Sequence, residues 1–219
     1  MQVLRYAKEF KPNWIVMENV VHMRPWSRYG EMKEALGALG YHIREHVLDA
    51  ADFGVPQSRR RLFVVCGREG VPEAVRPPQI PRRRTVSDIL DSPGEWKMTP
   101  LYRPGRATPT LERAERGFAG VGQDAGFLLV YYGTDGGGGW QRLDRPLRTI
   151  TTVDRFALVV PSNNGHKMRM LQVPELRRAM GFQNDYIMGR GTRRDKIKIL
   201  GNGVCPPVMK SIIEQLGDR

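Results

Sequence analysis

Trp14-Ile15-Val16-Met17-Glu18-Asn19-Val20 is an apolar run that closes on an acid, and Phe53-Gly54-Val55-Pro56-Gln57-Ser58-Arg59-Arg60-Arg61-Leu62-Phe63 follows further along the chain. Trp14 to Met17 has strand length and does not alternate, which suits a strand buried on both faces, as in a parallel sheet. Arg61 to Cys66 reads as a second buried strand, and Tyr41 to Leu48 alternates as a strand does. Between them, Met32, Ala35, Leu36 and Leu39 fall on one helical stripe over residues 31–39, with Gly40 as the stop. Upstream, Val3, Leu4, Ala7 and Phe10 share a helical face before Pro12 ends the segment, so that Met1 opens a helix. The order helix, strand, helix, strand, strand predicts one flank of an α/β sheet.

From about residue 69 to 140 the character changes. Pro72, Pro77, Pro78, Pro81, Pro93, Pro100, Pro104 and Pro109 interrupt the periodic patterns, and arginines are interleaved throughout. The expectation here is a small irregular second domain or long insertion, with a strand at Phe127 to Tyr132 and flexible glycines at 136–139. Order resumes with Leu147 to Val160. A short helix is expected to begin near Pro174 and run through Leu176, Ala179 and Met180, and a last helix over about 206–216 carries Val208, Ile212 and Leu216. The division that follows is 1–68, 69–145 and 146–219, the last returning to the first unit.

The 219 residues suffice for a real core, and 40% hydrophobic with 26% charged residues is globular composition. Thirty-five Lys and Arg against 23 Asp and Glu leave +12. The excess is arginine, clustered at 59–61, at 82–84, at 142, 145, 148 and 155, and at 190, 193 and 194. Such a surplus favours a polyanionic partner, though simple solubility accounts for it equally well. Cys66 and Cys205 stand far apart, which suggests neither a disulfide framework nor a metal site. A charged N-terminus and the lack of a membrane-length apolar stretch predict a soluble, cytoplasmic protein.

Several short segments carry candidate chemistry. Glu18 falls at the carboxyl end of a predicted strand, where open α/β sheets place ligands; by itself it could equally cap a turn or pair with an arginine. Alternation sends Arg59 and Arg61 to one side, where two guanidiniums can fork onto carboxylate, phosphate or base edges, and leaves Arg60 to a solvated patch. Asp144-Arg145-Pro146-Leu147-Arg148-Thr149-Ile150-Thr151-Thr152 passes for an edge strand with hydroxyls on one face. Gly201-Asn202-Gly203-Val204-Cys205-Pro206-Pro207 reads as a tight glycine turn exposing backbone amides, or as the ordinary start of a helix.

Taken in order, these segments, with Leu176 to Phe182 before the last, resemble the closing motif series of the DNA cytosine-5 methyltransferases. The resemblance covers nearly the whole chain apart from 69–140, which lies where that family carries its target recognition domain. It implies an α/β fold: the C-terminal half of a Rossmann-like, S-adenosylmethionine-dependent methyltransferase sheet, plus a small irregular target recognition domain. It implies DNA methylation of the restriction-modification kind, in a bacterial or phage setting, on double-stranded DNA. It further implies that Glu18 binds N3 and the exocyclic amine of a flipped cytosine, and that Arg61, with Arg59 nearby, contacts that base and positions the catalytic loop. Asn202, Gly203 and Val204 would line the S-adenosylmethionine pocket, with Tyr186 as a further candidate.

The departure from the family is as informative. Its nucleophile lies in a Pro-Cys loop upstream of the Glu-Asn-Val strand, and that dipeptide does not occur here. The glycine-rich first turn of the cofactor site is missing too. One expectation is therefore a split enzyme, in which a second protein chain supplies the nucleophile and most of the cofactor site, and this chain alone is inactive. A mis-assigned start or a truncation is chemically equivalent. The alternative is a non-catalytic DNA-binding or regulatory remnant.

Overall fold

The computed structural model describes residues 2–132 and 138–217. Helix α1 (Gln2–Phe10) leads into strand β1 (Trp14–Asn19), then helix α2 (Tyr29–Ala38), strand β2 (His42–Asp49) and strand β3 (Arg60–Gly67). Met1, Gly136 and Gly137 lie outside the described residues, so the expectations placed on them have no structural counterpart here.

β3 is the central strand of a three-stranded sheet ordered β1-β3-β2, and it runs antiparallel to both neighbours. β1 and β2 therefore point the same way with β3 inserted between them, which differs from the parallel neighbours suggested by the apolar runs. The physical reason is connection length. A parallel neighbour needs a crossover of a dozen or more residues, whereas β2 and β3 are joined by one short turn, Ala50–Phe53, and a brief extended segment. Continuous apolar character reports burial on two faces and says nothing about direction. On one face, Leu62, Val64 and Cys66 pack with Ala7, Met32 and Leu36 of the first two helices. On the other, Phe63 and Val65 enter the main core.

The stretch 69–140 is more regular than its prolines suggest. Pro109 sits in the first turn of helix α3 (Thr108–Val121), where the missing N–H costs nothing, so a residue read as a breaker instead starts a helix. Strands β4 (Thr99–Pro100), β5 (Phe127–Val130), β6 (Trp140–Arg142), β7 (Phe156–Ser162) and β8 (Gly165–Met170) form a second, antiparallel sheet ordered β4-β8-β7-β5-β6. α3 lies on one face of it. A Cβ on Gly117 would stand 2.2 Å from the Phe127 ring, so only glycine lets the helix approach β5 this closely. Phe127 and Leu129 face α3, while Leu128 and Val130 point to the other side and join Phe63 and Val65 in one core. The two sheets thus share a single interior. Helices α4 (Val173–Ala179), α5 (Arg193–Asn202) and α6 (Pro206–Gly217) complete it through Leu176, Leu200, Val208 and Ile212. Among the described residues no helix is long and apolar enough to cross a membrane.

One buried ion pair ties the second sheet to this closing unit. Arg169 of β8 donates to both oxygens of Glu175 at 2.7 and 2.6 Å, and Glu175 also accepts from the backbone N–H groups of Asp91 and Gln172. The carboxylate is 0% exposed, so every lone pair must be matched inside the protein, and here four donors do so. Replacing Glu175 with Ala leaves a buried guanidinium without its counter-charge. The expected loss is about 3–5 kcal/mol, read as a drop in the urea midpoint; a midpoint equal to wild type refutes the anchoring role.

Candidate active site

Glu18 is the penultimate residue of β1 and pairs in register with Phe63. Arg61 stands two residues before Phe63 and so projects from the same face. Its Nε lies 3.2 Å from Glu18 Oε1, and both side chains are largely buried, 16% and 14% exposed. The contact has ion-pair distance without hydrogen-bond alignment, and Glu18 Oε1 accepts no hydrogen bond among the described residues. Burial pushes the Glu18 carboxyl above the usual carboxylate range, while the Arg61 and Arg59 charges pull it back. The outcome is a partly desolvated acid with a buried acceptor that takes no hydrogen bond among the described residues.

Arg59 does something else. It precedes β3, is itself buried, and turns its guanidinium onto three backbone carbonyls: Nη1 to Ile150 at 3.0 Å, Nη2 to Gly201 at 2.9 Å and to Gly203 at 3.0 Å. Burial and the neighbouring Arg61 lower its pKa, yet a guanidinium remains charged in proteins. Its Nε has no hydrogen-bond partner among the described residues, and the residue lines a narrow cleft with Glu18, Arg61, Leu48, Phe63 and Cys205. The structure puts Arg59 and Arg61 on one cleft, as alternation predicts, and brings Glu18 there too, but it divides the two guanidiniums between different targets. Arg60 is exposed.

The carbonyl of Ile150 belongs to an extended strap, residues 146–155, that precedes β7. It forms no strand ladder; a single bridge joins Leu147 to Gln57. Gln57 is fully buried and holds the strap from inside, accepting from the Ile150 N–H at 2.9 Å and donating to the Ala179 carbonyl at 3.1 Å. Thr149 donates to the Ser58 carbonyl at 3.0 Å, and Tyr132 donates to the Thr149 carbonyl. The edge-strand expectation for this segment fails because its polar backbone groups are divided between the backbone of residues 56–58 and the side chains of Gln57, Arg59, Tyr132 and Gln141.

Asn202 ends α5 and is exposed; Gly203 and Val204 are half-buried and connect to α6. The glycines here are not those of a strained turn. Gly203 has φ −73°, and Gly201 matters for a different reason: a Cβ there would come within 2.4 Å of the Thr151 carbonyl carbon and oxygen. Arg59 thus fixes the backbone on both sides of Asn202. Tyr186 packs at a tilt against Phe182, ring centroids 4.4 Å apart, and lines an open hollow of about 830 Å³ with Ile187, Pro206, Pro207 and Lys210. That hollow takes in the residues just after 202–204 but none of those three.

Gln57 and Asp49 escaped sequence reasoning as site builders. Asp49 accepts from the Ser58 hydroxyl at 2.8 Å and the Arg59 N–H at 2.9 Å, which orients the segment leading to Arg59. An acid one residue past an alternating strand is the only local signal, and it is indistinguishable from a turn cap. Cys66 and Cys205 are both buried, and burial pushes their thiols up to about 11 and about 12. Neither is a thiolate at neutral pH.

A family profile described as C-5 cytosine-specific DNA methylase matches residues 1–218. The Type II methyltransferase M.SacI of Streptomyces achromogenes is 26% identical over 254 aligned residues, which take in 99% of this chain and 64% of the relative. The Type II methylase M.HgiDII of Herpetosiphon aurantiacus is 31% identical over 112 residues, 47% of this chain and 32% of the relative. The chain therefore spans less than two thirds of these curated relatives. Among solved structures, the Entamoeba histolytica methyltransferase EhMeth superposes with a TM-score of 0.66 at 19% identity, covering 99% of this chain and 68% of the other. The S. pombe Dnmt2 methyltransferase gives 0.66 at 16% identity, covering 99% and 71%. These two likenesses show that the chain shares its fold with those methyltransferases.

Two outcomes test the geometry. Gly201→Ala must push the strap away and is expected to cost about 1–3 kcal/mol, measured as a lower thermal midpoint; an unchanged midpoint contradicts the close approach. Glu18 has a folded pKa above its unfolded value of about 4.3. Its contribution to stability is therefore fully present below that value and is lost as pH rises through the folded pKa. Glu18→Gln does not titrate, so its stability relative to wild type should rise between acid and neutral pH. Parallel stability–pH curves for the two proteins contradict the raised pKa.

Proposed function

The chain belongs to the C-5 cytosine-specific DNA methylase family, and on that premise we propose that it supplies the base-holding acid, the supporting arginines and the target recognition unit of a DNA cytosine-5 methyltransferase. The observation that carries the reading is the buried Glu18 acceptor beside Arg61 at the end of β1, which takes no hydrogen bond among the described residues. A cytosine taken out of its stack presents an exocyclic amine and N3 on its Watson–Crick edge, and such a pocket holds it by that edge. Attack of a thiolate at C6 sends electron density toward N3. A carboxyl with a raised pKa, hydrogen-bonded there, favours the proton that neutralises this charge, which lowers the barrier where charge develops. Arg61 keeps the carboxyl oriented and reaches the same base, while Arg59 holds the walls.

Neither cysteine of this chain fits the nucleophile, because both thiols are buried and hard to ionise. The thiolate, with its Pro-Cys loop, comes from outside these 219 residues, supplied by a partner chain or by a preceding segment. The residues present also fit one wall of a cofactor site. Asn202 is exposed between two carbonyls pinned by Arg59, and Gly203 and Val204 continue the same surface. S-adenosylmethionine, when bound, supplies the methyl group. Tyr186 and Phe182 offer flat apolar surface next to that turn, beyond Pro206. Double-stranded DNA is the substrate, in line with the +12 charge.

The test is co-expression with a chain carrying the Pro-Cys loop, followed by bisulfite sequencing of the DNA. Cytosine methylation is expected with wild type. Glu18→Gln should lower kcat by two or more orders of magnitude, the range of general acid–base help, while retaining DNA. Loss of DNA retention together with activity marks Glu18 as structural, and no methylation with any such partner favours a non-catalytic DNA-binding remnant.

A further inference from the structure

Two buried polar atoms on the Glu18 cleft are left unmatched by the protein, and they are complementary. Glu18 Oε1 is an acceptor and Arg59 Nε is a donor, and neither has a hydrogen-bond partner among the described residues. Buried groups of this kind are normally matched, because an unmatched one keeps its full desolvation penalty. Arg59 is 3% exposed, so bulk solvent does not reach its guanidinium. Both residues line the same cleft, whose volume is about 10 Å³. They stand close enough for each charge to bear on the ionisation of the other. Yet no ion pair or hydrogen bond joins them directly among the described residues; the ion-pair partner of Glu18 is Arg61.

We propose that this cleft holds one ordered water, which accepts from the Arg59 Nε–H and donates to Glu18 Oε1. A cavity needs about 10–15 Å³ to admit a water, so the cleft has room for one and none to spare. Its lining is polar in part, with the Cys205 thiol as a weak third partner, whereas a wholly apolar cavity stays dry. Two hydrogen bonds of roughly 2.7–3.0 Å each bridge groups that stand too far apart to pair directly. Arg59 is then a positioning residue for the carboxyl as well as for the strap and the turn around Asn202. The three carbonyls that hold its plane also fix the direction of its Nε–H and, through the water, the orientation of Glu18. On the reading of the cleft as a base pocket, the exocyclic amine of the base replaces the water at Oε1.

The water is sought in the full chain, carrying isotope-labelled methyl groups, by NOE and ROE transfer from the water resonance. Leu48, Ala50 and Val208 line the cleft and are buried, so bulk water does not touch their methyl groups. Expected in wild type are cross-peaks to these methyls with NOE and ROE of opposite sign, as a water held longer than molecular tumbling gives. Glu18→Gln keeps an acceptor oxygen and should keep the cross-peaks, while Glu18→Leu should lose them. No cross-peak in wild type overturns the proposal. So does one that survives in Glu18→Leu, since it then comes from an exchanging Arg59 or Cys205 proton. Arg59→Lys separates the bridge from charge alone, because it keeps the charge and lacks the Nε–H. The Glu18 carboxyl, followed by its carbon chemical shift, should titrate at higher pH in Arg59→Lys, since a hydrogen bond to the charged form is gone. An unchanged midpoint overturns the positioning role, and if Arg59→Lys does not fold, the two Glu18 variants decide. The cleft reading fails separately, by bisulfite sequencing with the Pro-Cys partner. Methylation without the cross-peaks removes the water and leaves the function; cross-peaks without methylation remove the function and leave the water.

Discussion

The buried guanidinium of Arg59 is the constraint on which the rest of the site depends. A charge taken out of water is tolerated only where its donors are met, and the three carbonyls that meet them come from two other parts of the chain: the strap at Ile150 and the α5–α6 junction at Gly201 and Gly203. Because those donors radiate from one rigid plane, the carbonyls cannot move independently. The Glu18 cleft, the strap and the turn around Asn202 are therefore set relative to one another by a single side chain. Asp49 fixes the backbone of Arg59 from the other side.

This arrangement explains why Arg61 and Arg59, alike in sequence and on the same side, have different environments. Arg61 sits on the strand proper and meets Glu18 across the register of β1 and β3. Arg59 sits before the strand starts, where the sheet face gives way to the helical layer of α5 and α6. One keeps company with a largely buried acid. The other is occupied by backbone, which makes it a positioning residue.

The second sheet is joined to this centre through shared apolar packing and through a few polar ties. Leu128, Val130, Phe156 and Leu158 enter the same core as Phe63 and Val65, so the second sheet is not hung on a flexible tether. Arg169 and Glu175 add a directional constraint that apolar packing lacks, since a bidentate pair fixes orientation as well as distance.

Much of the fold is legible in the sequence because it follows from local pattern. The helical stripes of residues 2–10 and 31–39, the apolar runs of β1 and β3 and the helix after Cys205 all come out within a residue or two, since periodicity reports burial directly. Glu18, Arg59 and Arg61 are also singled out there, by placement at strand ends. Tertiary structure alone decided the rest. Strand direction in the first sheet depends on the connection between β2 and β3, α3 depends on Pro109 falling in a first turn, and α5 depends on the Thr192–Asp195 capping box because its sequence is polar. The division of labour between Arg59 and Arg61 is set by carbonyls some 90 and 140 residues away along the chain. Hydrogen-bond partners at that separation leave no trace in local pattern, because a guanidinium's donors are the same whatever the fold brings to them.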